Sequence, residues 1–251
     1  MTLAAELQHS LLPPLTFGTD RIVVSGQLSP TYEVGGDAFD YALDGNVAHL
    51  AIFDALGHGL LSSLLAHLAV AAYRNGRRAG LDLAHTAQAV DRTLSETFGA
   101  ERFVTAVLAQ LDIDTGQLRW INAGHPEPML LRASHVVKEL AASPALPLGL
   151  NDLTGSPAEE AFVVAHEGLQ PGDRLLLLTD GVDEARDANG EFFGRERLAE
   201  LAARESASGL PTPEVLRRLH LAVLRSQTAG LQDDATTVLV EWLTGRGAQL
   251  A

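Results

Sequence analysis

Four aspartates lie where apolar, strand-like segments of the sequence start or stop: Asp37, Asp54, Asp180 and Asp233. A carboxylate at the end of a buried strand is held by stiff backbone and borders a loop-lined cleft, so several such ends can converge on one cluster of negative charge. Hard divalent cations such as Mg²⁺ and Mn²⁺ prefer oxygen ligands and usually keep several waters, which makes them the natural counter-charge. The four aspartates therefore predict a metal site.

The segment that follows Asp54 suits a cation site. Gly57 and Gly59 permit a tight turn and a close approach of the backbone to a ligand. The carbonyl of Ala55 is a further candidate oxygen ligand. Taken alone, this segment is equally well interpreted as a structural turn between a strand and a helix, and the other aspartates favour the metal loop.

Neighbouring acidic residues compete for the same roles. Asp37 follows a Gly-Gly pair and is a predicted ligand, whereas Asp40 is predicted to cap or to form a local hydrogen bond. For Asp180 the alternative is a helix or turn cap, but an unpartnered carboxylate after four leucines would carry a large desolvation penalty. Adjacent strand residues face opposite ways, so only one of Asp233 and Asp234 points into the cluster. Asp233 is the predicted ligand and Asp234 the predicted supporting residue.

The elements that must position these residues occur in blocks along the chain. Strand-like segments are predicted at 22–28, 47–53, 103–112, 117–121, 129–132, 136–140, 161–165, 174–178 and 236–242. Helices are predicted as two pairs, at 60–74 with 83–98 and at 195–205 with 213–226. Runs of strands interrupted by helix pairs favour an α+β layered sandwich of antiparallel sheets over a doubly wound parallel sheet.

Composition excludes several classes of protein. The 251 residues, 46% of them hydrophobic, are enough for one compact unit with a sizeable core. The 18 basic and 32 acidic side chains give a net charge of −14, which opposes binding to a phosphate backbone and predicts no nucleic-acid partner. The absence of cysteine excludes disulfides, thiolate catalysis and sulfur-ligated metals.

The sequence predicts neither export nor membrane association. No Lys or Arg precedes Arg21, and no apolar run is long enough for the core of a signal peptide. The most apolar helical stretch, 60–73, is shorter than the roughly 20 residues that a bilayer requires. A cytoplasmic location is the default expectation.

Residues 1–15 are predicted to form an amphipathic helix ahead of a main domain at 16–244. Leucines recur near helical spacing, and Pro13 and Pro14 end the pattern. The apolar stripe of this helix packs either on its own domain or in a homodimer or regulatory contact. The sequence leaves both alternatives open.

Five motifs, in order along the chain, resemble the motif set of PPM-type, metal-dependent Ser/Thr protein phosphatases, in particular the bacterial stage II sporulation E-like branch. They are Gly35-Gly36-Asp37, Asp54 with Gly57-His58-Gly59, Asn122-Ala123-Gly124-His125-Pro126, Thr179-Asp180-Gly181 and Asp233-Asp234-Ala235-Thr236. The resemblance implies a four-layer α-β-β-α sandwich, in which helices flank two antiparallel sheets. It also implies two Mn²⁺ or Mg²⁺ ions at one edge of the sheets.

The resemblance implies a role for each ligand. The aspartate matched by Asp54 bridges the two ions, the carbonyl of Ala55 binds one of them, and Asp37, Asp180 and Asp233 complete the set. The implied reaction is hydrolysis of phosphoserine or phosphothreonine by a water that the two ions share, without a phospho-enzyme intermediate. Asp54 and Asp180 are therefore expected to be catalytic as well as metal-binding.

His58 is a candidate general acid for the leaving oxygen. Its offset from Asp54 differs from that of the acid histidine in eukaryotic-type relatives, so the favoured role is a hydrogen bond that fixes the loop. His125, between Gly124 and Pro126, is predicted to have a structural role.

The expected substrate is a phosphorylated regulatory protein, and the family branch suggests an anti-sigma-factor antagonist. A two-metal phosphodiesterase would use a similar carboxylate cluster, but the acidic balance and the lack of a basic groove count against it. A catalytically silent pseudo-phosphatase would be expected to have lost metal ligands, whereas all four aspartates are present.

Overall fold

The computed structural model describes residues 11–133, 135–186, 191–227 and 231–243. Their strands form two antiparallel sheets, and helix pairs cover the outer face of each sheet. The predicted α+β sandwich of two antiparallel sheets is confirmed.

The first sheet has the strand order β1-β2-β11-β10-β7-β8. These strands are β1 (Thr16–Gly18), β2 (Ile22–Ser29), β7 (Met129–Arg132), β8 (His135–Glu139), β10 (Arg174–Leu178) and β11 (Ala235–Trp242). The second sheet has the order β3-β4-β5-β6-β9. Its strands are β3 (Asp37–Asp44), β4 (Val47–Ala55), β5 (Val104–Asp112), β6 (Gln117–Ala123) and β9 (Ala165–Gly168).

The helices are α1 (Leu60–Arg78), α2 (Leu83–Phe98), α3 (Ala158–Ala161), α4 (Asp180–Asp183), α5 (Arg195–Ser206) and α6 (Thr212–Ser226). Two short 3₁₀ helices occupy Gly99–Glu101 and Asp152–Thr154. The pair α1 and α2 packs on the second sheet, and the pair α5 and α6 packs on the first. No helix in the described ranges is both long enough and apolar enough to cross a bilayer.

Strand β4 shows why the site is held rigidly, because both of its faces are buried. Leu50 and Ile52 pack in the core between the two sheets, whereas Ala51 and Phe53 pack toward α1 and α2. This alternation follows from the two-residue period of a strand. The strand that ends near Asp54 is therefore clamped from both sides.

Two features of the strand prediction are wrong. The segment 161–165 is not a strand: helix α3 ends at Ala161, and β9 begins only at Ala165. Pro157 starts this helical turn with a φ of −58°, and the buried Phe162 fills the core beneath α1 and α2. Strands β1 and β3 were not predicted.

Strand β3 escaped prediction because charged residues interrupt its apolar pattern. Asp40 is nevertheless buried, and its carboxylate accepts hydrogen bonds from Nε and Nη2 of Arg74 at 3.1 and 2.6 Å. The partner comes from α1, so the predicted local role of Asp40 is wrong. The ion pair between Asp40 of β3 and Arg74 of α1 offsets the cost of burying the carboxylate.

The predicted N-terminal helix lies largely outside the described residues, which begin at 11. In the described part, Leu12 packs against the core, and the carbonyls of Leu11 and Pro14 accept hydrogen bonds from Arg74 and Tyr41. Residues 11–14 therefore pack on their own domain. The homodimer contact and the domain boundaries stay predictions.

Candidate active site

Asp37 and Asp54 lie opposite each other at one edge of the second sheet. Asp37 is the first residue of β3, and the antiparallel register pairs it with Asp54 on β4. Asp37 is buried and Asp54 is partly exposed. The pairing of β3 with β4 thus brings two predicted ligands together at the end of the hairpin that is opposite its turn.

The other two aspartates come from the first sheet. Asp180 begins α4 directly after β10, and Asp233 lies two residues before β11. Because β10 and β11 pair as neighbours, these two ends meet at one sheet edge. The hydroxyl of Thr179 donates a hydrogen bond of 2.7 Å to Oδ2 of Asp37, which joins this edge to that of the second sheet.

Asp234 holds the loop that leads to Asp37. Its buried carboxylate accepts hydrogen bonds from the backbone N–H of Thr31 at 2.7 Å and of Gly36 at 2.5 Å. A side chain at Gly35 would overlap this carboxylate. The supporting position predicted for Asp234 agrees with these contacts, and Asp233 is the more exposed of the two.

Two glycines let the backbone come close to the carboxylates. A Cβ atom at Gly36 would lie 2.8 Å from the carbonyl oxygen of Ala55, which leaves room beside that oxygen only for glycine. A Cβ atom at Gly181 would overlap the carbonyl of Asp234. These positions explain physically why the motifs Gly35-Gly36-Asp37 and Thr179-Asp180-Gly181 contain glycine.

The aspartates interact strongly as like charges. Burial, followed by the charges of Asp180 and Asp233, raises the pKa of Asp54 to about 8. Burial and the charge of Asp233 raise the pKa of Asp180 to about 6. Burial and Asp54 hold the pKa of Asp37 well above its usual range. Such carboxylates ionise readily only when a cation offsets the repulsion.

We call Asp37, Asp54, Asp180, Asp233 and Asp234 the carboxylate cluster. Within the described ranges, no three carboxylate or imidazole side chains surround a single ion position as they stand. The donor set still fits divalent ions chemically, because Mg²⁺ is bound through one or two carboxylates and keeps several of its waters. The carbonyl of Ala55, beside Gly36, adds a backbone oxygen.

His58 lies at the exposed rim of the carboxylate cluster, on the loop between β4 and α1. Its ring packs on Tyr32 with 4.8 Å between ring centres. Burial raises the pKa of Asp233, and His58 offsets a small part of that rise, which places the imidazole on the Asp233 side. The side chain of His58 has no hydrogen bond to another described residue, so the favoured loop-fixing bond is not found, and a ring contact takes its place.

His125 lies inside a closed turn. Its backbone N–H donates to Oδ1 of Asn122, and the amide of Asn122 donates to its carbonyl, both at 2.7 Å. Nδ1 lies 2.8 Å from the hydroxyl of Thr105. Burial lowers the pKa of His125 to about 3, so its ring is neutral at physiological pH. These contacts agree with the predicted structural role.

Sequence reasoning missed two contributors to the site. Thr179 was treated only as part of a motif, although its buried hydroxyl links Asp37 to β11 by also accepting a hydrogen bond from the N–H of Thr236 at 3.0 Å. Glu184 has no predicted role, although its charge adds to burial and the charge of Asp233 in raising the pKa of Asp180. The position of Thr179, between an apolar strand and the predicted ligand Asp180, was the available sign that its hydroxyl could support the site.

Comparison with known proteins identifies the family of this chain. The model of the stage II sporulation protein E (SpoIIE) family matches residues 44–243. The chain belongs to this family. The expected enzyme class, a protein serine/threonine phosphatase, and the resemblance to the SpoIIE-like branch are thereby confirmed.

The curated relatives include two phosphatases of Bacillus subtilis. The phosphoserine phosphatase RsbU is 23% identical over 239 residues, which cover 95% of this chain and 68% of RsbU. The phosphoserine phosphatase RsbP is 27% identical over 189 residues, which cover 72% of this chain but only 44% of RsbP. Both relatives are therefore longer than the part that matches.

Solved structures agree with the fold. The SiaA-PP2C domain of Pseudomonas aeruginosa superposes with a TM-score of 0.78 at 22% identity, covering 96% of this chain and 94% of that domain. The RsbU and RsbW domains of Rv1364c from Mycobacterium tuberculosis give a TM-score of 0.75 at 26% identity, covering 89% of this chain and 60% of that one. This chain therefore has the PP2C phosphatase fold.

Proposed function

We propose that the chain hydrolyses phosphoserine and phosphothreonine in a regulatory protein, in a reaction that depends on two Mn²⁺ or Mg²⁺ ions. The observation that carries this proposal is the convergence of the carboxylate cluster across two sheets, joined by the hydrogen bond from Thr179 to Asp37. When bound, the ions would activate a water for in-line attack on phosphorus. Without a phospho-enzyme intermediate, no nucleophilic side chain is needed.

Four residues of the carboxylate cluster are proposed as metal ligands. Asp37, Asp54, Asp180 and Asp233 would hold the ions through carboxylate oxygens, and the carbonyl of Ala55 would be a further ligand. Asp54 is the residue proposed to serve both ions, because it pairs with Asp37 in its own sheet, and because burial and then the charges of Asp180 and Asp233 from the other sheet raise its pKa. Asp54 and Asp180 are thus the residues on which turnover should depend most.

The supporting residues orient these ligands. The hydroxyl of Thr179 fixes one oxygen of Asp37, and Asp234 fixes the loop that precedes it. His58, exposed beside Asp233, is proposed to protonate the leaving serine or threonine oxygen. A preorganised ligand shell of this kind reduces the reorganisation needed when ions and substrate bind.

A protein substrate agrees with the surface beside the site. Leu60 and Leu64 lie one turn apart near the start of α1, next to the loop that carries His58, and their side chains are 73% and 55% exposed. Apolar groups exposed in this way commonly contact another protein. The relatives RsbU and RsbP are named phosphoserine phosphatases, which supports a phosphorylated regulatory protein such as an anti-sigma-factor antagonist. A cytoplasmic location stays a prediction.

The test measures hydrolysis of a phosphoserine peptide and of para-nitrophenyl phosphate with Mn²⁺, with Mg²⁺ and after chelation. We expect turnover only with metal, and loss of it in Asp180→Asn. The exposed Asp20 supplies the control, since Asp20→Asn should keep full activity. Turnover that survives both chelation and Asp180→Asn would refute the metal site. Preferred cleavage of bis(para-nitrophenyl) phosphate would show a diesterase instead.

The role of His58 has its own readout. A phenolate such as para-nitrophenolate leaves without help, whereas a serine alkoxide needs a proton. His58→Gln should therefore reduce kcat on the phosphoserine peptide by about 100-fold but reduce kcat on para-nitrophenyl phosphate by less than about threefold. Equal losses on both substrates would indicate that His58 only packs on Tyr32.

A further inference from the structure

A cavity of about 570 Å³ lies between helices α5 and α6. Five arginines line it: Arg197, Arg204, Arg217, Arg218 and Arg225. An adjoining cavity of about 240 Å³ shares part of this lining and extends it to Phe193. We call the two cavities together the arginine groove. It shares no residue with the carboxylate cluster, and its existence overturns the expectation that the protein lacks a basic groove.

Carboxylates neutralise only part of the arginine groove. Glu214 pairs with Arg217 and Arg218, with N–O distances of 2.7 and 2.8 Å. Glu205 lies 3.5 Å from Arg204 and 3.6 Å from Arg218. Two acidic groups thus pair with three arginines, and all of these guanidinium groups remain exposed to solvent. A third carboxylate, that of Glu200, lines the adjoining cavity, so the five arginines still outnumber the acidic groups.

The other two arginines form no ion pair with a described residue. Within the described ranges, neither Arg197 nor Arg225 pairs with a carboxylate. The guanidinium of Arg197 lies over the ring of Phe193, 4.6 Å from its centre, which fixes its position without neutralising it. In a chain with a net charge of −14, this excess of positive charge is local and opposite in sign to the rest of the molecule.

The groove also has an apolar component. Leu201 is buried, and Leu221 and Ala222 are half-buried along the same lining. Leu221 and Ala222 lie on α6 and Leu201 on α5, so the apolar strip lies where the two helices face each other. A ligand that fills this groove therefore meets apolar side chains along the strip and guanidinium groups around it.

We propose that the arginine groove binds an acidic, amphipathic segment of a partner protein. Its Asp or Glu side chains would pair with Arg197 and Arg225, since guanidinium groups bind carboxylates in a planar, bidentate geometry. Its apolar side chains would pack on Leu221 and Ala222, as in other complexes of a helix in a groove. The negative charge elsewhere on the protein repels a long polyanion and guides a short acidic segment to this one site.

The test uses the whole protein and a fluorescein-labelled peptide of about 15 residues, in which Glu and Leu recur at helical spacing. Fluorescence anisotropy should show saturable binding that weakens as salt rises. Arg197→Gln/Arg225→Gln should weaken binding about 10-fold or more, because it removes the two unpaired charges and leaves the ion pairs intact. The charge-matched control is Arg78→Gln/Arg92→Gln, at exposed positions elsewhere, with a change below about twofold expected.

A second variant and a second ligand separate the alternatives. Leu221→Gln should weaken binding of the peptide by about fivefold and leave binding of inorganic polyphosphate unchanged, because only the peptide uses the apolar strip. No saturable peptide binding at low salt, equal weakening in the Arg78/Arg92 control, or tighter binding of polyphosphate or duplex DNA than of peptide would each overturn the proposal. Circular dichroism melts of every variant verify folding.

Discussion

The carboxylate cluster and the arginine groove both concentrate like charges, yet their environments differ. The cluster is enclosed between strand ends of two sheets, and Asp37 and Asp234 are almost completely buried. The five arginines of the groove are exposed on the surface of two helices. Water and counter-ions screen charges on a surface but reach buried charges poorly.

The difference appears directly in the ionisation of the carboxylates. Burial raises the pKa of Asp54 to about 8, whereas hydrogen bonds from the exposed Arg217 and Arg218 lower the pKa of Glu214 to about 2. These pKa shifts predict that the cluster destabilises the metal-free fold, and such a cost is typical of a functional site. The exposed arginines of the groove cost the fold little stability. Their positive charge and their position on the surface are therefore what suggest a role.

The largest expected effect separates the two regions by activity. Asp54→Asn should lower kcat/KM on para-nitrophenyl phosphate with Mn²⁺ by at least about 1000-fold, because a ligand proposed to serve both ions is lost. Arg197→Gln/Arg225→Gln should change it by less than about twofold. Steady-state kinetics on the purified variants measures both, and a large loss in the arginine variant would mean that the two regions are coupled.

The second prediction concerns the inner face of α6, whose outer face borders the groove. Burial lowers the pKa of His220 from 6.5 to about 4. Between pH 6.5 and pH 4, His220 is therefore protonated in the unfolded chain but neutral in the folded protein. As pH falls from 7 to 4, this difference should lower the free energy of unfolding by about 3 kcal/mol.

Urea unfolding of wild type and His220→Gln at both pH values tests this. The variant should be less stable at pH 7, because contacts to Ser29 and Thr237 are lost, and the difference should shrink or reverse at pH 4. A constant difference would mean that the pKa of His220 is the same in the folded and unfolded states. The variant His135→Gln, at an exposed position on β8, serves as the control.

The third prediction measures the cost of the cluster itself. Because the folded pKa of Asp54 lies above its unfolded value of 3.8, the stability of metal-free protein should fall as pH rises toward about 8. Asp54→Asn removes this charge and should stabilise the metal-free protein by about 2 kcal/mol at pH 8.

Urea unfolding with a chelator gives this difference, and it should nearly vanish at pH 4. Mn²⁺ should raise the melting temperature of wild type more than that of the variant. If Asp54→Asn destabilises the chelated protein at pH 8, the carboxylates do not repel one another as described. Asp20→Asn again provides the matched surface substitution.

The smallest expected effect belongs to the groove. Arg218→Ala breaks exposed ion pairs with Glu205 and Glu214, so the melting temperature should change by no more than about 2 °C. Differential scanning calorimetry at low and high salt measures it. A much larger, salt-insensitive loss would place these arginines in the structural core of the molecule and remove the contrast between the two regions.

Sequence patterns predicted β4 and β10, which end beside the site, but missed β3, which begins with Asp37. The apolar runs that end at Asp54 and precede Asp180 are recognisable locally, because both faces of β4 and β10 are buried. Strand β3 is not, because its charges are acceptable only when Arg74 of α1 is in place. The sequence analysis also missed the groove, since the arginines of α5 and α6 become one surface only after the helices pack.

The sequence by itself determined which carboxylates and glycines form the site, because strand ends and tight turns are properties of short segments. Only the tertiary structure decided how they meet. Thr179 and Asp37 are separated by 142 positions, yet their side chains form the hydrogen bond that joins the two sheets. Burial of that junction, which depends on the packing of the two sheets and the elements that surround them, raises the pKa values of the aspartates that are proposed to bind cations.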